Sequence, residues 1–542
     1  MAEARGLWYF DETSNIFSVF DGMVYKDENS FISLTTNTGK VGFSEAIYGL
    51  KQYLFLADGK KGYLIDKDDP TSFQMIDDSH VITITVTSGG SDYVTPPDVT
   101  IDPPNIAAWL ADTAYALGAL VINDSNVYIC VSAGTSASSG GPTGTDNLIT
   151  DNTCGWRYVL SEEAATATAS CELADGAVVY ITLITPGYGY SGAPTVTFSE
   201  GEATAIATLS GFPIEHIPTP VFLDGYLFLA KAGTPDIYNS GIGDYDYWNP
   251  IDYVTVSQYS DEVLGLAKQN NQIMALKEDS TEYLYDAANA FGSPLAKTNQ
   301  AVIQIGCAST YSIDDHERKV FFIGKSSTGT VGVWAIEGFK EQKVSTEAVD
   351  RLLQNEGTFI SLAYAYAIRT EGHFFYVIRL YGGRTVVYDV EEQFWHEWSS
   401  VNNGIEGNFF GKFATAIGTL PVVQHATNGK IYNVDTTAYE DATGPIKVLW
   451  TSIPVDMENT YRKWFQSLTF VGDQQTSISN LTVKYSDDDY KTWSNGWTIN
   501  LQERAYIKRL GSARRRAFKL EHEANTPFRM EALEIVYSQS EH

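Results

Sequence analysis

The 542-residue sequence has few of the residues that build metal sites or disulfide frameworks. Its four cysteines, Cys130, Cys154, Cys171 and Cys307, include no CxxC pair, so a zinc site is not expected. Cys130 and Cys154 lie in one short segment, where a disulfide and two reduced core thiols both fit the sequence. The eight histidines form no HExxH motif and no i, i+4 pair. We therefore predict neither a metal nor a cofactor.

Long apolar runs and helical patterns are also scarce. No run of about 18 apolar residues occurs, so no membrane span is predicted, and MAEARGLWYF lacks the features of a signal peptide. Short runs of Val, Ile, Thr, Tyr and Phe end instead at Gly, Asp or Asn, which predicts a mainly β fold. One helix is expected within 345–354, with Ser345 or Thr346 as its N-cap.

Positive charge is the scarcest property of the chain. The 36 Lys and Arg oppose 67 Asp and Glu, which gives a formal charge of −31. Such a chain does not bind nucleic acid by neutralising phosphates, although it can line a passage through which DNA slides; simple solubility explains the charge equally well. The only basic cluster is Lys508, Arg509, Arg514, Arg515 and Arg516. It fits a solvated strand face or an acidic neighbour better than a phosphate site.

Strand-like runs at regular spacing occupy residues 1–81 and 212–445. Several place Tyr beside an acidic residue at the strand end, as in 24-VYKDE-28, 283-YLYD-286 and 387-VYDV-390. This rhythm predicts a β-propeller of five to seven blades, interrupted by an insert. From 446 to 542 the runs change and predict a C-terminal antiparallel β-sandwich.

The insert, residues 82–211, contains one phrase twice. 87-TSGGSDYVTPPDVTI-101 and 185-TPGYGYSGAPTVTF-198 share Tyr-x-x-x-Pro-x-Val-Thr, and 164-AATATASC-171 and 202-EATAIATL-209 follow them. The linker before the Ala/Thr segment is about 59 residues longer in the first copy than in the second. Because loops tolerate insertions, we predict a tandem-repeat β domain with a nested module at about 103–162.

The nested module has a characteristic spacing of aromatic residues: Trp109, Tyr115, Tyr128 and Trp156. This spacing resembles small chitin- and cellulose-type carbohydrate-binding modules. The resemblance implies that the four rings bind a host-surface glycan, since aromatic faces stack on sugar rings. The alternative is that the same rings form the core of a module too small to fold without large apolar side chains.

Catalytic motifs are missing from the sequence. Neither GxSxG nor a P-loop occurs. The stretch 486-SDDDYKTW-493 resembles the Asp-box of sialidases, with Tyr490 in place of the family's Gly, but that box is a turn remote from the active site. We predict no catalytic residues and no enzyme.

Residues 5–81 and 212–542 together resemble the packaged-DNA stabilisation proteins of short-tailed bacteriophages, which form the tail hub or nozzle. The stretches that carry the resemblance follow the family's order: 5-RGLWYFDETSNIFSVFDGMVY-25, 280-STEYLYDAANAFGSP-294, 305-IGCASTYS-312, 333-VWAIEGFKEQKVSTEAVDRLL-353, 448-VLWTSIPVDMENTYRKWFQSLTF-470 and 509-RLGSARRRAFKLEHE-523. The chain departs from the family by starting inside the first blade, so we expect the propeller to close differently or to stay open there.

The resemblance implies a structural protein of the virion, made in the host bacterial cytoplasm. It implies a homo-oligomeric ring of about six copies below the phage portal and adaptor proteins, which conducts passing DNA without binding it and anchors tail fibre, spike or needle proteins. The insert of about 130 residues is expected outside the ring, because it does not fit in a DNA channel. The alternative function is that of a secreted glycan-binding propeller, either a lectin or a glycosidase.

Overall fold

Strands account for nearly all regular structure, as the scarcity of helical patterns predicts. The structure is a computed structural model, and it describes residues 2–259, 261–316, 318–402, 405–442 and 444–539. The outer bounds of the first and last predicted domains, residues 1 and 542, lie outside these ranges. The chain divides into two units: 1–382, 386–396 and 411–431 form the first, and 383–385, 397–410 and 432–542 form the second.

Outside the insert, seven antiparallel sheets follow one another through 4–433, and we number them as blades of a propeller. Blade 1 contains Ala4–Phe10, Asn15–Phe20, Met23–Lys26 and Asn29–Ser33. Blade 2 contains Gly42–Tyr48, Lys51–Ala57, Gly62–Asp66 and Gln74–Ile76. Blade 3 contains Val221–Leu223, Tyr226–Ala230, Asp236–Asn239 and Tyr253–Thr255. Blade 4 contains Val263–Gln269, Gln272–Lys277, Thr281–Asp286 and Leu295–Ile303. Blade 5 is Ile305–Cys307, Asp314–His316, Lys319–Ser326, Val331–Glu337 and Lys340–Lys343. Blade 6 contains Tyr364–Thr370, His373–Arg379 and Thr385–Asp389, and blade 7 contains Gly411–Ile417, Leu420–His425 and Ile431–Asn433. The predicted fold class is confirmed.

The N-terminal strand closes the ring of blades. The backbone N–H groups of Ala2 and Ala4 donate to the carbonyl oxygens of Thr427 (3.1 Å) and Ala426 (2.9 Å), which joins blade 1 to blade 7. Arg5 on the same strand is fully buried. Its guanidinium donates to backbone oxygens of Asp21, Thr36, Thr38 and Gly39 at 2.7–2.8 Å. The first strand of blade 1 thus pairs with blade 7 and closes the propeller.

The predicted helix is confirmed as Glu347–Asn355, and its N-cap is Thr346. The Thr346 hydroxyl accepts from the backbone N–H of Val349, and Val349 and Leu353 pack into the core of blades 5 and 6. The other helical segments are the short helix Glu162–Ala165 and the 3₁₀ turns Asp11–Thr13, Thr310–Ser312 and Gly357–Leu362. No helix in the described ranges is long and apolar enough to cross a membrane.

The two repeated phrases and the strands around them form a four-stranded and a two-stranded sheet that share one core. The strands are Val81–Ser88, Val99–Ile101, Thr168–Ala174, Ala177–Thr185, Val196–Phe198 and Thr204–Leu209. The phrases pair with each other, since Val99–Ile101 runs antiparallel to Val196–Phe198. The Tyr hydroxyl of each copy accepts from the Ala/Thr segment of the other: Tyr93 from Ala203 N (2.9 Å) and Tyr190 from Ala167 N (2.8 Å). The repeat therefore builds one shared core rather than two separate ones.

The nested module occupies the long linker of the first copy. Its strands are Ala114–Tyr115, Leu120–Asn123, Asn126–Ser132, Gly134–Thr135, Ile149–Asp151 and Cys154–Ser161. They follow Val99–Ile101 and precede Thr168–Ala174 in the chain, at the point where the two copies differ in length. We keep "nested module" for residues 103–162 below.

The regular structure of the second unit, over its described residues, consists of strands. Phe394–Asn402 pairs with Ile405–Asn408, and Glu440–Asp441 pairs with Gly444–Pro445. Two four-stranded sheets follow. The first contains Val448–Thr451, Ala517–His522, Asn480–Ser486 and Trp497–Asn500. The second contains Tyr506–Lys508, Lys463–Gly472, Ser512–Ala513 and Met530–Gln539. Apolar residues of both sheets, including Phe465, Leu481 and Phe518, share one core. This is the predicted sandwich.

The Asp-box-like stretch and the basic cluster meet in a turn of this sandwich. Asp488 accepts from the backbone N–H (2.9 Å) and hydroxyl (2.6 Å) of Thr492, and these bonds lower the pKa of its carboxyl to about 2. Arg516 donates both ends of its guanidinium to Asp487 at 2.6 and 2.8 Å. Its guanidinium carbon also lies 3.8 Å from the centroid of the Tyr485 ring. Arg516 is therefore a buried structural residue, and the stretch is a turn, as the sequence predicts.

Candidate functional site in the inserted domain

The four aromatic residues proposed to bind sugar lie together in the nested module, but they are not equally accessible. Tyr128 and Trp156 are both 0% exposed, whereas Trp109 and Tyr115 are partly buried and pack against the same core. The edge of the Tyr115 ring contacts Trp156, with 4.9 Å between ring centroids. The core interpretation therefore holds for Tyr128 and Trp156.

One buried carboxylate fixes both tryptophans. Asp151 Oδ2 accepts from Trp109 Nε1 at 2.8 Å and from Trp156 Nε1 at 3.0 Å, while its Oδ1 accepts from the backbone N–H of Ala137 at 2.9 Å. Asp151 itself is 5% exposed. A buried carboxylate is stable here because every oxygen is hydrogen-bonded. Nothing in the sequence marked Asp151, since an acidic residue at a strand end normally faces solvent.

The burial corrects part of the predicted glycan site. A ring without exposed surface presents no face to a sugar, so the assignment of Tyr128 and Trp156 as glycan contacts is wrong for this structure. The Tyr128 hydroxyl instead donates to the carbonyl oxygen of Gly144 at 3.1 Å. Trp109 and Tyr115 keep partly exposed rings and lie side by side, because the Tyr115 hydroxyl accepts from Leu110 N at 2.8 Å. The prediction stays open for these two residues alone.

A single arginine attaches the nested module to blades 1 and 2. Arg157, which is 2% exposed, donates to the backbone oxygen of Ser33, and its guanidinium carbon lies 5.7 Å and 5.5 Å from the ring centroids of Tyr63 and Phe73. Asn147 adds a bond of 2.8 Å to the backbone oxygen of Phe31. No specific pattern in the sequence pointed to Arg157, which stands between two aromatic residues in 155-GWRYV-159.

These contacts place the insert outside the ring of blades. Ser33 belongs to the last strand of blade 1, and Met75, whose sulfur also contacts Arg157, belongs to the last strand of blade 2. The first strands of the blades, in contrast, surround the central cavity, and no residue of 82–211 lines it. Within one chain the insert therefore lies away from the central cavity, and its position outside a ring of copies stays a prediction.

An open cavity of 440 Å³ lies where the insert meets blades 2 and 3. Its wall includes Phe73, His80, Arg157, Tyr188, Asp244 and Asp246. Lys61 pairs with the buried carboxylate of Asp77 beside this cavity, and the Tyr188 hydroxyl donates to the same carboxylate at 2.9 Å. The hydrogen bond to Asp246 raises the pKa of Asp244 to about 7, with burial as the second cause. The two carboxyl groups therefore share a proton near neutral pH.

The central cavity of the propeller measures 480 Å³ and is lined by the first strands of the blades. It contains Lys40, Asp314 and Asp315, and burial together with the neighbouring charge of Asp315 raises the pKa of Asp314 to about 7. A B-DNA duplex, whose major groove alone is about 12 Å wide, does not fit in such a space. DNA therefore does not pass along the axis of a single propeller.

The described residues offer no metal centre and no activated thiol. No group of three or more His, Cys, Asp or Glu side chains within them is arranged to hold a metal ion. Cys130 and Cys154 are both buried free thiols, so the disulfide that the sequence left open does not form. Burial raises the pKa of Cys130 to about 11 and that of Cys307 to about 12, which keeps these thiols protonated and unreactive.

Comparison with known protein families gives one match. Residues 187–439 match the family model described as Phage_stabilise, "Bacteriophage P22 Gp10, beta-propeller". The resemblance to phage DNA-stabilising propellers is thereby confirmed over this stretch, which covers blades 3–7. No curated protein matches the chain.

Solved structures resemble the chain only distantly. An exo-β-1,3-galactanase from Phanerochaete chrysosporium is 8% identical, with 81% of this chain and 100% of that chain covered and a TM-score of 0.23. The β-propeller domain of Cps50 (Swd1) from Myceliophteria thermophila is 8% identical, with coverages of 80% and 96% and a TM-score of 0.28. Dihydro-heme d1 dehydrogenase NirN is 10% identical, with 62% of this chain and 66% of that chain covered, just under two thirds of its length, and a TM-score of 0.27. Scores this low have no bearing on function.

Proposed function

We propose, from the match of residues 187–439 to the phage DNA-stabilising propeller family, that this chain is a structural protein of a phage tail. In this role it forms a tail hub or nozzle ring that extends the DNA channel below the portal and adaptor proteins. It helps to retain the packaged genome and anchors fibres, spikes or a needle. The family match is the observation that carries the proposal, and it favours a structural role over enzyme activity.

The dimensions of the propeller determine how such a ring is built. Because the central cavity of one propeller holds only 480 Å³, the DNA channel has to lie between copies, on the axis of an oligomer. The formal charge of −31 per chain then has a use. A lumen lined with carboxylates repels the phosphate backbone, so DNA is not held on the wall during ejection.

Virions test the proposal directly. A phage with a stop codon in this gene is grown in a host with and without a plasmid that supplies the protein. We expect particles without the protein to lose their DNA to added nuclease, and complemented particles to keep it. Electron microscopy of complemented particles should show a pore of about six-fold symmetry below the portal. Virions that lack the protein entirely and still retain DNA would contradict the proposal.

We propose a second, separate role for the nested module as a binder of a host-surface glycan. Trp109 and Tyr115 support it, because they are the two of the four predicted rings that stay partly exposed. Glycan-array binding should be lost in Trp109→Ala and kept in Tyr180→Ala, which removes a 61% exposed ring from the repeat domain. Equal binding by both variants, or no binding by the wild type, would leave the module as a structural attachment.

A further inference from the structure

Charge is divided unevenly along the chain. Residues 446–542 contain 13 of the 36 Lys and Arg but only 12 of the 67 Asp and Glu, so residues 1–445 hold the whole acidic excess. Neighbouring copies of such a chain repel each other where acidic surfaces meet. An assembly of copies therefore needs a contact that brings the few free cations to an acidic surface.

One face of the C-terminal sandwich combines exposed rings with free cations. Ile507 packs into the core, so its neighbours Tyr506 and Lys508 point outward on the same strand. Tyr506 is 57% exposed, and Lys508 Nζ lies 4.7 Å from the centroid of its ring. On the adjacent strand Trp464 is 56% exposed. We call Trp464, Tyr506, Lys508 and Arg509 the sandwich face.

The cations of the sandwich face have no carboxylate partner within the described part of the chain. Ion pairs there hold Arg504, Arg515 and Arg516, but none holds Lys508 or Arg509. Arg509 lies against the strand of Trp464, because its backbone N–H donates to the carbonyl oxygen of Gln466 at 3.1 Å. Exposed Trp, Tyr and Arg side chains are the types that dominate the energy of protein interfaces.

The first unit has a surface of the opposite charge on blades 2–4. Tyr48 and Ile242 are 49% and 50% exposed. They lie together, because Gly243, the residue after Ile242, packs so closely on the Tyr48 ring that a Cβ added to it would lie 2.2 Å from a ring atom. Tyr226 follows Gly225, where an added Cβ would lie 3.0 Å from Ile242 and 3.2 Å from Tyr48. Asp252 lies on the same blade as Tyr226, where its carbonyl oxygen accepts from Asn239 N at 3.2 Å. Burial, and then the charges of Asp286 and Asp252, raise the pKa of Tyr226. We call Tyr48, Ile242, Asp252 and Asp286 the acidic face. No ion pair among described residues involves Asp252 or Asp286.

We propose that the sandwich face of one copy binds the acidic face of a second copy. Each face offers apolar contact area together with unpaired charges, and the charges are of opposite sign. When two copies bind through these different faces, the pair still has one free sandwich face and one free acidic face. Further copies bind there in the same way, and the chain of copies closes into a ring where the geometry allows. The inference rests on the proposed tail ring and names the contact that forms it.

Duplex DNA fits the sandwich face less well than a second copy does. The bases of a duplex are stacked and offer nothing for Trp464 and Tyr506 to stack on, unlike single strands. A net charge of −31 also opposes approach of the phosphate backbone. An acidic protein surface with exposed apolar side chains satisfies both the rings and the cations.

Two charge-reversal variants test the contact in the full-length chain. The first carries Lys508→Glu and Arg509→Glu, and the second carries Asp252→Lys and Asp286→Lys. The matched control, Lys340→Glu with Lys491→Glu, reverses two exposed cations outside both faces. Mass photometry should show oligomers for the wild type and the control but monomers for each variant, with association weakened at least about 100-fold. Unchanged circular dichroism and melting temperature should accompany this loss.

Mixing the two variants gives the sharpest result. Because the two variants carry opposite reversals, both kinds of contact between unlike variants join opposite charges, so the mixture should again form oligomers. Oligomers that persist in either variant, a mixture that stays monomeric, or a wild type that is monomeric at every concentration would overturn the inference. So would duplex DNA binding by the wild type that is lost in the first variant while oligomers remain. Virions with an intact ring of the first variant would refute this contact and leave the proposed function standing.

Discussion

Replacing Asp151 by Asn tests whether the tryptophans of the nested module are held as core residues. The carboxylate accepts three N–H groups: those of Trp109 and Trp156 on Oδ2 and that of Ala137 on Oδ1. An Asn side chain has one oxygen and one NH₂ group. Either orientation of the amide therefore points its NH₂ at a donor.

The magnitude follows from the number of donors that lose their acceptor. With the amide oxygen toward the indoles, only the Ala137 N–H is left unpaired, and a buried unpaired donor costs about 1–3 kcal/mol. The opposite orientation leaves both indoles unpaired and is less stable. We therefore expect the free energy of opening the module to fall by about 1–3 kcal/mol, which speeds hydrogen exchange roughly 5- to 150-fold.

Hydrogen exchange followed by mass spectrometry on the full chain resolves this locally. Peptides that cover 126–132 and 154–161 should exchange faster, while peptides from 480–486 in the sandwich should not change. Asp146→Asn is the matched control, because this carboxylate of the same module is exposed. Exchange and tryptophan fluorescence equal to wild type in Asp151→Asn would refute the role assigned to the carboxylate.

Three further changes have definite expected outcomes. Arg157→Met removes the hydrogen bond to Ser33 and the contacts with the Tyr63 and Phe73 rings, so the attachment of the nested module should weaken by about 2 kcal/mol. Limited proteolysis should then cut 137–147 faster than in the wild type, and the exposed Lys60→Met serves as the control. The pKa of Asp314 is raised to about 7 from 3.8. Between these pH values the folded chain binds more protons than the unfolded chain, so the contribution of Asp314 to the free energy of unfolding falls as pH rises through that window. Asp314→Asn should therefore raise the melting temperature at pH 7.5 and leave it unchanged at pH 4; an equal effect at both would contradict the shift. Arg516→Lys loses the two-point bond to Asp487 and the stacking on Tyr485, and we expect the sandwich to unfold about 2 kcal/mol more easily in urea, with Lys491→Arg unchanged.

The fold was predicted most accurately where a local pattern carries the physical cause. Thr346 caps its helix because its side chain reaches the backbone N–H of Val349, which is three residues away. The turn at Asp488 likewise depends on Ser486 and Thr492 within the same stretch. Comparison of the repeated phrases also located the nested module, since a loop insertion changes length without changing the flanking strands.

The candidate site was predicted less well because burial depends on distant residues. Trp109 and Trp156 look equivalent in the sequence, yet only the packed module shows that Trp156 has no exposed surface. Arg157 gains its partners from Ser33, Tyr63 and Phe73, which are 84–124 residues away. Charge patterns along the chain do not identify such partners.

The sequence by itself determined the β architecture, a propeller of five to seven blades, the repeat and the sandwich, because strand periodicity and turn residues act over a few neighbours. Only the tertiary structure decided which aromatic residues are core and how the insert is fastened to blades 1 and 2. It also decided the size of the central cavity and which side chains of the sandwich, such as Tyr506 and Lys508, stay exposed. These properties arise from side chains far apart in the chain, whose burial and pairing exist only once the strands have packed.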